Sequence, residues 1–266
     1  MVQRMVKKIN CLKGLLDLLA EGRVSGSDKS KCTLLQNMIK ESYFFSKKIV
    51  ADRHKKIISM LEKINDLNLA DKIPVRYSSK CGNNSVYFNA KKEKIEAPPS
   101  RKEFRKKSVD DVVLYKFNDS YIPIEIDYDG NASVRKIIKR KTGYKVSLGK
   151  NNDILYATIS HIWGNASNPV FFTNLWNVVI VPTYLNPLLD KNESENIDAI
   201  YSDTIKFVKN SYKKICYDIY NMKDKLAEYK KMGFDCDELI AVESFKDVAV
   251  DKDVLNNLRY LHQKTE

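Results

Sequence analysis

Apolar residues recur every three or four positions towards both ends of the chain and form alternating or continuous runs in its middle. That contrast predicts helices on either side of a β-rich centre. Near the N-terminus Val6, Ile9, Leu12, Leu15, Leu16 and Leu19 keep helical spacing until Gly22. A second helical region is expected from Thr33 to Asn65, with Leu35, Met38, Ile49, Ile57, Leu61 and Ile64 on its buried side. His54 falls in its basic stretch and reads as a solvated surface residue. Beyond the centre, Ile205, Val208, Tyr212, Ile215, Ile219, Met222, Leu226 and Tyr229 step alternately by three and four. They predict one helix from Tyr201 to Met232 with a coiled-coil-like seam. Gly233 ends it, and Leu239 to Leu261 supplies a last short strand or helix.

In the centre, Val112 to Phe117 and Tyr121 to Ile126 read as two strands joined by a turn at Asn118-Asp119-Ser120. Pro123 places the second at a sheet edge, since it cannot donate to a ladder. Asp127, Asp129 and Gly130-Asn131 then suggest a tight turn, with Ser133 as a helix N-cap. Ile154, Leu155, Tyr156, Thr158 and Ile159 form a third strand closed by His161. Asn177 opens a fourth, Val178 to Val181, which Pro182 halts. Because Pro187 is tolerated only in a first helical turn, any helix that follows begins close to Asn186. The fold class is α+β.

Charge changes the picture. The chain has 46 Lys and Arg against 34 Asp and Glu, a formal net charge of +12, which favours nucleic acid as a partner ahead of a membrane surface. From Gly130 to Asn152 there are seven cations, including Arg135, Lys136, Lys139, Arg140, Lys141 and Lys145, and no acid. These are candidate phosphate contacts on double-stranded DNA. A second basic run, residues 91–107, includes Arg101, Lys102 and Arg105 around Pro98-Pro99, and reads equally as a solvated linker or a DNA-tracking arm. No apolar run reaches the roughly 18 residues that a membrane helix needs. The five cysteines, Cys11, Cys32, Cys81, Cys216 and Cys236, lack zinc-ligand spacing and read as free thiols in a reducing cytoplasm; no structural zinc is expected.

The stretch Ile154–Lys191 carries the chemistry. His161, Asn177 sixteen residues on and Asn186 nine further sit at a strand end, a strand start and a helix start. The order strand, loop, strand, helix and the Asn-Val-Val-Ile-Val register resemble the HNH branch of the His-Me finger (ββα-metal) endonucleases. The resemblance implies that His161 is the general base, Asn177 braces the loop and Asn186 binds a divalent metal, Mg²⁺ or Mn²⁺. Many HNH enzymes carry Asp before the His; here it is Ser160, so Asp127 and Asp129 are the next candidates for additional metal ligands. Paired CxxC knuckles are absent.

These expectations divide the chain into a helical scaffold (1–75), a β-rich basic DNA-contacting segment (76–153), the finger (154–192) and a C-terminal helical region (193–266). The implied function is metal-dependent hydrolysis of DNA phosphodiesters, as in a type II restriction or other defence nuclease. A PD-(D/E)xK site built on Asp111, Glu125 and Asp127 is a weaker competitor, because Asp127 stands where the Lys belongs. From another class, the chain is a non-catalytic nucleic-acid binder that keeps a degenerate finger. The Ile205–Tyr229 seam has two candidate partners, a helix of the same chain or, in a homodimer, a second copy.

Overall fold

The computed structural model describes residues 38–65, 71–77, 87–95, 113–146, 153–190 and 199–264. The expected Leu-rich N-terminal helix and the arm residues Arg101, Lys102 and Arg105 lie outside them. Helices and two mixed sheets make an α+β fold around one buried hydrophobic cluster.

The first sheet has the order β6-β7-β1-β8, built from β1 (Tyr43–Phe45), β6 (Ala157–His161), β7 (Val178–Pro182) and β8 (Arg259–Leu261). β6 and β7 are an antiparallel hairpin in the register His161 with Val178 and Ile159 with Ile180. β7 pairs antiparallel with β1, and β1 pairs parallel with β8. The hairpin therefore pairs with β1, far before it in the chain, and β1 pairs in turn with β8, far after it. Nearly every residue of β6 and β7 is buried, which explains runs such as Val-Val-Ile-Val in place of strict alternation.

The second sheet, β2-β5-β4-β3, contains β2 (Ile73–Arg76), β3 (Tyr87–Phe88), β4 (Val113–Phe117) and β5 (Ser120–Asp127). The expected hairpin of β4 and β5 is present, with Phe117 opposite Ser120. Pro123 does not mark an edge, however, because β5 lies between β2 and β4. β2 begins at Ile73 opposite Ile124, so on that side Pro123 has no neighbour to which an N–H would be owed.

The helices are α1 (Lys47–Leu61), α2 (Ala132–Thr142), α3 (Asn186–Asp190), α4 (Ala199–Ile219), α5 (Met222–Lys231), α6 (Asp237–Ile240) and α7 (Lys252–Asn256). Three expectations are corrected. The region from Thr33 to Asn65 is not one helix: β1 interrupts it, and Ser46 starts α1 by accepting from the Ile49 N–H. The helix expected over Tyr201–Met232 breaks at Asn221, whose φ of +50° is left-handed, and this gives α4 and α5. The seam Ile205, Val208, Tyr212, Ile215, Met222, Leu226 and Tyr229 is buried in the chain's own core, so it offers no surface to a second copy. Its partner is not mainly α1. Tyr212 stacks on Phe44 of β1 at 6.2 Å and exchanges a 2.8 Å hydrogen bond with Ser42.

No described helix is long and apolar enough to cross a membrane. Cys216 and Cys236 are buried free thiols.

Candidate active site

β6 carries His161 to the mouth of the loop 162–177. Its imidazole is 3% exposed and stacks on Phe172 with ring centroids 5.5 Å apart. Nε2 lies 3.0 Å from the Phe172 carbonyl oxygen. A carbonyl only accepts, so Nε2 carries the proton and the lone pair of the neutral ring is on Nδ1. The backbone thereby selects one tautomer and fixes the ring plane.

Asn177 closes a 3₁₀ turn, Leu175–Asn177, immediately before β7. Its Oδ1 accepts from the Trp163 N–H at 2.8 Å, and Nδ2 donates to the carbonyls of Gly164 at 3.1 Å and Phe171 at 3.2 Å. One fully buried amide thus ties both arms of the loop together. Gly164 and Asn165 turn the chain at φ +64° and +47°, a region where a β-branched residue would be strained. Trp163 and Trp176 meet edge to face at 5.7 Å and fill the base of the loop.

Four successive loop residues are gripped from four directions. The Phe171 carbonyl receives Asn177, and that of Phe172 receives His161. Thr173 receives Arg53 from α1: Nε donates to its carbonyl at 3.0 Å and Nη2 to its Oγ1. Asn174 donates Nδ2 to the Val170 carbonyl at 2.8 Å and to the Tyr229 hydroxyl of α5 at 2.6 Å. The Tyr229 hydroxyl in turn lies 3.1 Å from Nδ1 of His54, whose Nε2 is 2.9 Å from Glu228. His54 is therefore not a surface residue; it is 3% exposed and bonded at both nitrogens. Burial pushes its pKa below the ordinary 6.5, more than the Glu228 carboxylate raises it. The contact with Glu228 is accordingly that of a neutral imidazole N–H donating to a carboxylate.

Asn186 begins α3, which packs against β6, the strand that ends in His161. Asp127 has a structural role. Buried at the end of β5, it accepts from the Asp129 N–H at 3.0 Å and from the Ser133 N–H at 2.6 Å. It caps α2, which starts two residues earlier than a Ser133 cap would set; the N-cap residue is Asn131, whose side chain makes no cap bond but donates to the Ile159 carbonyl of β6 at 3.4 Å. The turn bearing Asp127 and Asp129 thus lies against the candidate strand, with Asp127's oxygens already engaged. No group of three His, Cys, Asp or Glu side chains suited to a metal occurs among the described residues.

α2 buries Val134, Ile137, Ile138 and Thr142 and leaves Lys136, Lys139 and Arg140 exposed, as helical spacing expects. Arg135, half-buried, reaches the Asp129 carbonyl at 3.4 Å, and Lys145 is exposed beyond the helix.

A family model described as "Uncharacterised protein PM1201" matches residues 45–263. The chain belongs to that family. The matched span includes every residue of the site, from Arg53 through His161, Asn177 and Asn186 to Tyr229. A relative of the same description from Pasteurella multocida (strain Pm70) is 26% identical over 129 residues, 48% of this chain and 53% of the relative. The chain therefore spans about half the length of the curated relative it matches. No solved structure matches.

Arg53, Thr173 and Asn174 were not singled out by sequence reasoning, and Tyr229 was read only as a residue of the helical seam. A signal existed for Arg53 and His54: they fall at helical steps from Ile49, Val50 and Ile57, on the stripe that α1 buries. Their polarity hides them in a run, Arg-His-Lys-Lys, that reads as surface.

Proposed function

We propose that the protein is a metal-dependent endonuclease that hydrolyses DNA phosphodiesters, with His161 as general base. The observation that carries this reading is the hydrogen bond from His161 Nε2 to the Phe172 carbonyl. With the proton on Nε2, Nδ1 is the nitrogen that takes a proton from water as its oxygen attacks phosphorus. The bond from phosphorus to the leaving sugar oxygen breaks, and that oxygen is protonated from solvent. Asn177 holds the loop that holds Phe172, so it positions the base and touches no substrate. A divalent cation, Mg²⁺ or Mn²⁺, supplies charge neutralisation on the scissile phosphate when bound. Asn186 would offer the hard amide oxygen that such an ion takes, with phosphate and water completing its shell. Lys136, Lys139 and Arg140, exposed on α2, offer backbone-phosphate contacts. A restriction or other defence role is the biological setting the resemblance suggests.

A supercoiled plasmid incubated with the protein and Mg²⁺ tests the reading. Nicked and linear products that vanish with chelator and with His161→Ala are expected; intact plasmid at every metal concentration overturns it. A second reading, a nucleic-acid binder without catalysis, draws on the 3% exposure of His161 and on Ser160 in place of an acid. In the same assay it retards the plasmid without cutting it.

A further inference from the structure

A cavity of about 790 Å³ opens between the N-terminal turn of α1, the C-terminal turn of α2 and the tail that follows β8. That volume lies within the range of about 300–1,000 Å³ typical of ligand pockets. Its lining is mostly cationic. Lys48, Arg53, Lys56, Arg140 and Lys141 contribute cations, joined by His262, and Asp52 is the single carboxylate in the wall. Lys56 is already paired with Asp71 at 2.7 Å. Among the described residues, Lys48, Arg53, Arg140 and Lys141 make no ion pair.

Arg53 is the unusual member. It is 3% exposed, and the partners that hold it, the carbonyl and hydroxyl of Thr173, are neutral. A buried guanidinium without a counter-charge is costly, because neutral dipoles replace only part of its lost hydration. Burial first, and then repulsion from Arg140, push its pKa down to about 10, so it remains charged at neutral pH beside a second guanidinium. An anion in the cavity would relieve both effects at once. The first turn of α1, with Ser46, Lys48 and Ile49 in the wall, adds the positive end of a 15-residue helix. The tail forms the remaining wall: Lys264 N–H donates to the Thr142 carbonyl at 2.9 Å, which lays His262 and Gln263 along the end of α2.

We infer that this cavity is a binding site for a phosphoryl group of nucleic acid, held by Arg53, Arg140, Lys141 and Lys48. The shared chemistry is a phosphate oxyanion, presented either as a terminal phosphomonoester or as an internal phosphodiester. The site does not depend on the nuclease reading, since its charge and shape would serve a binder equally. Arg53 links it to the loop: the same side chain that faces the cavity holds Thr173, next to the Phe172 carbonyl on which His161 rests.

The test uses the full chain carrying His161→Ala, so that cleavage plays no part. Inorganic pyrophosphate is titrated by calorimetry at constant ionic strength, set with chloride. Saturable binding is expected, weakened at least tenfold in Arg140→Ala/Lys141→Ala and in Lys48→Glu, and unchanged in Lys116→Ala on the exposed face of β4. Equal binding by the cavity variants and the parent, or no saturable binding by the parent, overturns the site. Oligonucleotides with 5′-phosphate and 5′-hydroxyl ends then distinguish the sources. A preference for 5′-phosphate that the double variant loses assigns a terminal monoester. An equal loss for both ends assigns an internal phosphodiester. Unchanged affinity for both, with native folding of the variant verified by circular dichroism, counts against the site.

Discussion

His54 and His161 are equally buried, yet they are held in different ways. His54, between α1 and α5, has both ring nitrogens engaged by side chains, the Tyr229 hydroxyl and the Glu228 carboxylate. These partners join two helices, so its ring acts as a cross-brace. His161 meets a backbone carbonyl through Nε2, and that carbonyl belongs to a loop that Asn177, Arg53 and Asn174 immobilise. The difference teaches what each environment favours. Around His54 the network supports a neutral imidazole as a packing element. Around His161 it specifies a tautomer and an orientation, which is what general-base chemistry requires.

The largest expected effect sets chemistry against structure. His161→Ala should lower plasmid cleavage by about 10²–10⁴-fold, the usual contribution of a positioned base. His54→Ala should lower cleavage only in proportion to the folded fraction. Equal specific activities of the two variants, corrected for folding by circular dichroism, would erase the distinction.

Next comes the loop brace. Asn177→Ala leaves the buried Trp163 N–H and two carbonyls without their partner, at a cost of about 2–4 kcal/mol in unfolding free energy. Equilibrium urea denaturation reads this directly. A loss below about 0.5 kcal/mol, the level of an ordinary surface change, would show that the loop holds itself.

A smaller effect follows from the depressed pKa of His54. In the folded state burial favours its neutral form, whereas the unfolded chain takes up a proton as pH falls through about 6.5. The unfolded state then binds more protons, so this contribution is full above that pH and is lost below it. The urea midpoint should drop between about pH 7.5 and about pH 5.5, and His54→Gln should reduce the drop. The same pH response in the variant would assign the titration to another group.

The smallest change concerns the exposed face of α2. Lys136→Ala and Lys139→Ala should leave stability within about 0.5 kcal/mol. If each lysine neutralises a duplex phosphate, each substitution flattens the slope of log affinity against log salt by about 0.9. Affinity should fall alike for all DNA sequences, since phosphate contacts position without specifying. An unaltered slope in fluorescence-anisotropy titrations would leave this face to solvent.

Local pattern made much of the fold legible. The β4–β5 hairpin, the strand ending at His161, β7 from Val178 and the helix start at Asn186 were readable because turn residues, prolines and β-branched runs act over a few positions. The seam of α4 and α5 was visible as a stripe, but its partner was not. Periodicity shows that a face is buried and is silent about what buries it. For the same reason Pro123 read as an edge, since a single strand does not reveal where its neighbour begins.

The sequence by itself determined which short elements carry the candidate residues. His161, Asn177 and Asn186 are ordered along Ile154–Lys191 at spacings that backbone geometry translates into strand end, loop base and helix start. Tertiary structure alone decided what surrounds them. Arg53, His161, Asn177 and Tyr229 converge on Phe171, Phe172, Thr173 and Asn174 from separations of as many as 120 residues, in the case of Arg53 with Thr173. Tertiary structure also turned Asp127 into a helix cap and placed Arg53 inside the protein, against the expectation for a charged run. The physical reason is common to both: partners brought together by packing share no local sequence signal, and a charge tolerates burial only through those partners.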